Sequence, residues 1–78
     1  QALRFKGHTA TVHYAEFSPD GSIVASASRD RTVRLWTPSA RGGSSVLKGH
    51  MGGVRHASFS RSGRLLVTAS DDKTVKVW

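Results

Sequence analysis

The candidate reactive residues of this sequence are two histidines and two aspartates. His8 and His50 could act as metal ligands or general bases, and Asp30 and Asp72 could act as paired acids. A zinc site needs a third ligand at a suitable spacing, and neither histidine has one. The adjacent Asp71 and Asp72 offer too few oxygens for Ca²⁺, which takes about six or more. We therefore predict no metal site, no cofactor and no catalytic residue.

Two glycine pairs, Gly42-Gly43 and Gly52-Gly53, could suggest phosphate-binding loops. Neither pair has the lysine and serine of a P-loop or a helical pattern after it. We predict that both are loops between strands. Because no nucleophile–base pair is apparent either, we expect the protein not to be an enzyme and to have no small-molecule substrate.

The charge balance limits the choice of partner. The 78 residues include 12 Lys and Arg against 5 Asp and Glu, a net charge of +7. Such a surface could attract an acidic partner, but it has neither a basic run nor the interleaved aromatics of single-strand binders. The absence of cysteine excludes disulfides and thiolate zinc sites. No apolar run approaches the roughly eighteen residues of a membrane span. We expect no membrane association, and we expect protein partners in preference to nucleic acid.

The chain repeats itself at an offset of 42 residues. Residues 1–36 laid over 43–78 give fourteen identities without a gap, a period typical of repeat architectures. We predict one repeat unit over 1–42 and a second over 43–78 that lacks its outer strand. The identities include His8 with His50, Val12 with Val54, Phe17 with Phe59, Gly21 with Gly63, Ser28 with Ser70, Asp30 with Asp72, Thr32 with Thr74, and Trp36 with Trp78.

Each unit is predicted to form short strands joined by turns. In the turn 18–21, Pro19 presets φ and Gly21 accepts positive φ. Residues 23–25 and 65–67 are apolar in succession, which is typical of strands covered on both faces. Four-stranded sheets packed around an axis provide such cover. The predicted strands are 12–17, 23–28, 32–36, 45–47, 54–59, 65–70 and 74–78, and Leu3–Phe5 aligns with 45–47 as the outer strand of a preceding sheet.

Each repeat has a Gly-His pair, an aspartate in a tight turn and a tryptophan that closes the next strand. This pattern resembles that of the WD-repeat (WD40) family. The pairs are Gly7-His8 and Gly49-His50, and the resemblance covers the whole chain. It departs at Thr37, where the family usually has Asp after Trp. The resemblance implies an all-β WD40 β-propeller fragment, with one complete four-stranded antiparallel blade and parts of its neighbours. We expect residues 1–78 to be part of a single, seven-bladed propeller in a longer protein.

The resemblance also implies a structural hydrogen-bond network. In the family a loop His, a strand Ser or Thr, a turn Asp and a strand Trp bond in series. An indole only donates and a carboxylate only accepts, while imidazole and hydroxyl do both, so the series can satisfy every member. The matching residues are His8, Ser26, Asp30 and Trp36 in the first repeat and His50, Thr68, Asp72 and Trp78 in the second.

By the same resemblance, partners bind the loops around the propeller's faces. One face carries the upper rim, whose residues we predict to be free of network duties. The opposite face carries a basic cluster that could meet acidic tubulin tails. The upper rim is Thr9, Arg29, Arg31, Met51, Asp71 and Lys73, and the basic cluster is Arg41, Arg61 and Arg64.

A narrower resemblance is carried by residues 28–38 and 67–78, which are similar to the centriolar proteome-of-centriole WD-repeat proteins. It implies a non-catalytic scaffold that binds microtubules and centriolar proteins, located in the cytoplasmic cytoskeleton at the centriole, basal body or cilium. One alternative is a generic adaptor of a ubiquitin ligase or signalling complex. Another is a propeller associated with RNA or chromatin.

Overall fold

The computed structural model describes residues 5–38 and 44–78, which contain seven β-strands. These are β1 (Val12–Phe17), β2 (Val24–Ser28), β3 (Val33–Trp36), β4 (Ser44–Leu47), β5 (Val54–Phe59), β6 (Leu66–Ser70) and β7 (Val75–Val77). They form one four-stranded sheet, β1-β2-β3-β4, and one three-stranded sheet, β5-β6-β7, with every neighbouring pair antiparallel. The predicted all-β class is confirmed.

The strand bounds agree with the sequence prediction within about one residue at most ends. β1 and β5 begin and end where predicted, whereas β2, β3, β6 and β7 begin one residue later, β4 begins one residue earlier, and β7 ends one residue earlier. The predicted strand Leu3–Phe5 lies mainly in 1–4, outside the described residues. Within the described part of the chain, no helix is long and apolar enough to cross a membrane.

The turn between β1 and β2 is closed by side chains as well as backbone. The Gly21 N–H donates to the Ser18 carbonyl at 2.9 Å, and Gly21 has a φ of +76°. The Asp20 carboxylate accepts hydrogen bonds from the Ser22 N–H and from the Ser18 and Ser22 hydroxyls, which lower its pKa to about 2. The same turn forms at 60–63 without proline, because the glycine and the flanking hydroxyls are sufficient.

The tight turns that follow β2 and β6 place a basic side chain in the left-handed region. Arg31 has a φ of +77° and Lys73 a φ of +71°. This conformation costs a residue with a Cβ about 1–2 kcal/mol. The hydroxyls of Ser28 and Ser70 brace the turns by accepting from the Asp30 and Asp72 N–H groups, at 3.1 Å in each case.

The core lies where the two sheets face each other. The first sheet contributes Ala25, Ala27 and Val33, all fully buried, and the second contributes Val54, Ala57 and Leu66. Alanine at the centre of β2 lets the two backbones approach closely, since side-chain volume sets the spacing of packed sheets. Tyr14, Leu35, Leu47, Phe59 and Trp78 pack around this cluster.

A carboxylate on β1 joins the two sheets. Glu16 Oε2 accepts from the Phe59 N–H at 3.2 Å and lies 3.5 Å from the Ser58 hydroxyl. Glu16 Oε1 accepts from the Tyr14 hydroxyl at 2.9 Å, which raises the pKa of Tyr14. The Tyr14 ring also lies against His56, with ring centroids 4.0 Å apart. The contact between the sheets therefore has a polar end beside its apolar centre.

Of residues 65–67, which are predicted to be covered on both faces in a propeller, only one is buried within this chain. Leu65 is 50% exposed and Val67 39% exposed, whereas Leu66 is buried. Of their counterparts, Ile23 and Val24 are half-buried, and Ala25 is buried in the core cluster between the two sheets. The second sheet thus has one covered face and one open face.

Gly53 lies close to the backbone of Arg29 in the first repeat and provides a test of the packing between the repeats. A Cβ added there would lie 3.2 Å from Arg29 Cα and 3.5 Å from the Arg29 carbonyl oxygen. We expect Gly53→Ala to lower the free energy of unfolding by about 1–3 kcal/mol through overpacking, measured by urea denaturation.

The matched control is Thr11→Ala, at the equivalent exposed position of the first repeat. It should change the free energy of unfolding by less than about 0.5 kcal/mol. Equal stability of Gly53→Ala and the wild type would contradict the described packing.

Candidate functional site

In the first repeat, the four predicted network residues lie in hydrogen-bond contact. His8 Nδ1 is 2.8 Å from Asp30 Oδ2, and His8 Nε2 is 2.6 Å from Ser26 Oγ. The indole N–H of Trp36 donates to the same Ser26 hydroxyl at 2.8 Å. The loop before β1, the middle of β2, the tight turn and the end of β3 are thereby joined.

The second repeat builds the same series with one conservative change. His50 Nδ1 is 3.1 Å from Asp72 Oδ2 and His50 Nε2 is 2.7 Å from Thr68 Oγ1. The Trp78 indole N–H donates to Thr68 Oγ1 at 2.9 Å. Thr68 is fully buried, so its hydroxyl has no access to water that could replace these partners.

The chemistry of the end members sets the direction of each series. An ionised carboxylate only accepts and an indole only donates. His Nδ1 must therefore carry a hydrogen to donate to Asp30 or Asp72. The Ser26 or Thr68 hydroxyl accepts from the indole and has its own hydrogen left to donate to His Nε2. Every polar group in the series is satisfied only in this order.

Each network carboxylate is held in its ionised form. Burial raises the pKa of Asp30, but hydrogen bonds from the Thr32 hydroxyl, His8 and the Thr9 N–H outweigh it, and the pKa lies well below its usual range. At Asp72 the Thr74 hydroxyl has the largest effect, and the Met51 N–H and His50 add to it, so this pKa is also well below its usual range.

The arrangement has the order Asp–His–Ser of a hydrolase triad, yet the hydroxyl cannot act as a nucleophile. In a triad the serine oxygen is accessible to substrate. Ser26 is only 5% exposed, and its oxygen already accepts from the Trp36 indole. Within the described residues, no group of three His, Asp or Glu side chains could hold a metal ion. The geometry supports a structural role for this cluster.

The upper-rim side chains lie above this network, and one of them also has a partner on a neighbouring strand. Asp71 Oδ1 accepts from Arg55 Nε at 2.9 Å in an exposed ion pair, because β5 runs directly below the turn that carries Asp71. Met51 is 81% exposed. Thr9, Arg29, Arg31 and Lys73 are also exposed.

The backbones of two rim residues do take part in the network. The Thr9 N–H donates to Asp30 Oδ2 at 3.0 Å and the Met51 N–H to Asp72 Oδ2 at 2.9 Å. The loops that carry these side chains are thus tied to the turns that carry Arg31 and Lys73. The network holds the rim in place from below.

The predicted basic cluster lies partly within the described chain. Arg61 and Arg64 are exposed on the turn between β5 and β6, and Arg41 lies outside the described residues. Arg61 lines a cavity of about 300 Å³ between the equivalent turns of the two repeats, together with Pro19, Asp20 and Ile23.

Several residues that contribute to the network or to the contact between the sheets were not predicted from the sequence. Thr32 and Thr74 donate from their hydroxyls to Asp30 and Asp72, and both lie near the histidine Nδ1 atoms. Their identity across the 42-residue offset was a usable signal. Glu16 had no such signal in the sequence, because its counterpart in the second repeat is serine.

Removing the central hydroxyl tests the network directly. Thr68→Val keeps the shape of the side chain but leaves the Trp78 indole N–H and His50 Nε2 unpaired, so we expect a loss of about 2–3 kcal/mol in the free energy of unfolding. Thr68→Ser, which copies the first repeat, should retain most of the stability. Thr9→Val, an equivalent change at an exposed hydroxyl, should have little effect. A Thr68→Val protein as stable as Thr9→Val would refute the network's energetic role.

The lowered pKa values of Asp30 and Asp72 make stability depend on acid pH. A folded pKa below the unfolded value of about 3.9 contributes stability that is complete above that value and is lost as pH falls through it toward the folded pKa. As far as these two carboxylates determine it, we expect the midpoint urea concentration of unfolding to be nearly constant from about pH 7 to about pH 5. We expect it to decrease when the pH is lowered below about 4. Asp72→Asn should flatten this decline, and Asp71→Asn, its neighbour outside the network, should not. An identical pH profile for both variants would contradict this assignment.

Comparison with known proteins agrees with this geometry. The sequence profile of the family described as WD domain, G-beta repeat, matches residues 1–37 and 43–78. Protein Mut11 of Chlamydomonas reinhardtii is 63% identical over 30 residues, which are 38% of this chain and 8% of that protein. The human serine-threonine kinase receptor-associated protein is 53% identical over 32 residues, 41% of this chain and 9% of that protein. Apoptotic protease-activating factor 1 of Danio rerio is 57% identical over 30 residues, 38% of this chain and 2% of that protein.

The matched stretches span less than a tenth of each of these relatives, so the likeness is one of repeat units. The profile, in contrast, covers nearly the whole chain in two consecutive matches. These matches coincide with two sheets that each contain the His, hydroxyl, Asp and Trp series described above. The chain belongs to the WD40 repeat family.

Proposed function

We propose that the protein is a non-catalytic scaffold that binds partner proteins through its upper rim. The proposal rests on one observation: in each loop, some groups face the interior and others face solvent. Backbone N–H groups and the carboxylates of Asp30 and Asp72 point inward and are fully used. Arg31, Lys73 and Met51 point outward from the same loops and are exposed.

The rim has the composition of a protein contact surface. Met51 offers an adaptable apolar side chain at 81% exposure, a residue type enriched at protein interfaces. Three cationic residues of the same rim, Arg29, Arg31 and Lys73, are also exposed. An acidic partner surface with an apolar side chain at its centre fits this arrangement.

Charge reversal on each face tests the proposal. The rim variant Arg31→Glu with Lys73→Glu should lose the bound proteins that the wild type retains in affinity capture measured by quantitative mass spectrometry. The matched control is Arg61→Glu with Arg64→Glu, the same charge change on the opposite face, and it should retain them. If the rim variant keeps every partner and the control loses them, the rim is not the binding face.

A narrower proposal concerns the assembly that the scaffold serves. The names of the relatives described above do not mention centrioles, and a generic adaptor of a ligase or signalling complex accounts for the repeat family equally well. The centriolar, basal-body or ciliary role draws on the net charge of +7 and on the exposed Arg61 and Arg64, which would suit acidic tubulin tails.

Co-sedimentation and microscopy separate these possibilities. Salt-sensitive binding to microtubules that is lost when the tubulin tails are removed, together with centriolar fluorescence of the tagged protein, would support the cytoskeletal role. A diffuse signal and no co-sedimentation would leave the generic adaptor. Binding to nucleic acid with a steep salt dependence would instead favour the RNA or chromatin role.

A further inference from the structure

The turns 18–21 and 60–63 have the same backbone conformation but differ in the side chain at their third position. In each turn the glycine N–H donates to the carbonyl of the first serine at 2.9 Å, and the glycine φ is +76° or +77°. The third residue is Asp20 in the first turn and Ser62 in the second. Ser62 therefore stands where the first repeat holds an ionised carboxylate, since the pKa of Asp20 is lowered to about 2.

The donors that engage the Asp20 carboxylate have counterparts around Ser62. Asp20 Oδ1 accepts from the backbone N–H two residues later at 2.9 Å and from the hydroxyl two residues earlier at 2.7 Å. Ser62 Oγ accepts from the Arg64 N–H at 3.3 Å and lies 3.2 Å from the Ser60 hydroxyl. In the second turn the same two donors thus surround a neutral oxygen instead of a carboxylate.

Two arginines flank Ser62, whereas the first turn contains no cation. Arg61 precedes Ser62 directly and Arg64 follows it by two residues, and both are exposed. Ser62 and Arg61 line the cavity of about 300 Å³ between the two turns. Asp20 lines this cavity too, so two guanidinium groups and one carboxylate set the charge near the Ser62 hydroxyl. The position combines a net positive charge with free space beyond the hydroxyl.

We propose that Ser62 is a phosphorylation site for a protein kinase that selects serines flanked by arginine. The Ser62 oxygen forms a bond to the γ-phosphorus of ATP, the bond from that phosphorus to ADP breaks, and the hydroxyl proton passes to the catalytic aspartate of the kinase. A phosphoserine carries a charge of about −1.5 to −2 at pH 7 and has three strong acceptor oxygens. It restores at position 62 the anion that the first repeat has as Asp20. The cavity accommodates the phosphate, which extends further than a carboxylate.

This turn position stays open to solvent beside a neighbouring repeat on either side. The first turn has the following repeat next to it, and Pro19 and Asp20 are exposed. The second turn has the preceding repeat next to it, and Ser62 is exposed. A kinase can therefore reach the hydroxyl when repeats pack in series.

Phosphorylation changes the charge of the face that carries the basic cluster. The phosphate largely offsets the positive charges of Arg61 and Arg64. We expect this to release an acidic partner from that face, a consequence that rests on the role proposed for these arginines. The modification site itself does not depend on any partner.

Phosphopeptide mass spectrometry of the full-length protein tests the site. The folded protein is incubated with ATP and a kinase that selects serines with arginine at positions −1 and +2. We expect phosphate on Ser62, lost in Ser62→Ala, and none on Ser22, which is exposed beside the equivalent turn but has no arginine next to it. Absence of phosphate from Ser62 in the folded protein would overturn the proposal, whether or not a peptide of residues 56–68 is phosphorylated.

The pKa of the attached phosphate tests whether the turn holds it as it holds the carboxylate. The second pKa of phosphoserine is ordinarily about 6, and hydrogen-bond donors and guanidinium groups favour the doubly charged form. In a phosphorus-31 NMR titration we expect a lower midpoint for the folded phosphoprotein than for the same protein in urea. Ser60→Ala removes one donor and keeps both arginines, so it should raise the folded midpoint. Equal midpoints in the folded and unfolded protein would also overturn the proposal.

Discussion

The structure depends on the requirement that a buried indole N–H and a buried carboxylate each find a partner. Trp36 is 3% exposed, and its indole can only donate, while Asp30 can only accept. Two groups able to do both must stand between them, and His8 and Ser26 do so at 2.6 Å from each other. An incomplete series would leave a polar group unpaired in the interior, which costs about 1–3 kcal/mol. Sequence-distant segments are thus held in one relative position.

This constraint explains how short loops can present side chains for binding. The network carboxylates accept N–H groups from the loops above them, so the backbone of Thr9 and Met51 is fixed while their side chains face solvent. The left-handed conformation of Arg31 and Lys73 follows from the same tight turns, whose backbone N–H groups donate to the serine hydroxyls before the turns and to the network carboxylates. Groups arranged like a catalytic triad therefore serve to position a surface.

The sequence was sufficient to predict the features that recur in both repeats. The 42-residue offset located the strands, and the resemblance to the WD-repeat family implied which His, hydroxyl, Asp and Trp residues bond in series. The ion pair between Asp71 and Arg55 was not predicted, because Arg55 lies sixteen residues away and the first repeat has His13 at the equivalent position. Glu16 was missed for the same reason. Contacts that occur only once depend on how the two sheets face each other, and the repeat pattern does not determine that packing.

The protonation pattern of the two network histidines, measured by nitrogen-15 NMR of the imidazole rings, tests the direction of the series most directly. We expect that in both His8 and His50 the hydrogen resides on Nδ1, facing the carboxylate, while Nε2 accepts from the Ser26 or Thr68 hydroxyl. A hydrogen on Nε2 with a bare Nδ1, or a mixture of both forms in rapid exchange, would mean that the series does not run from tryptophan to aspartate.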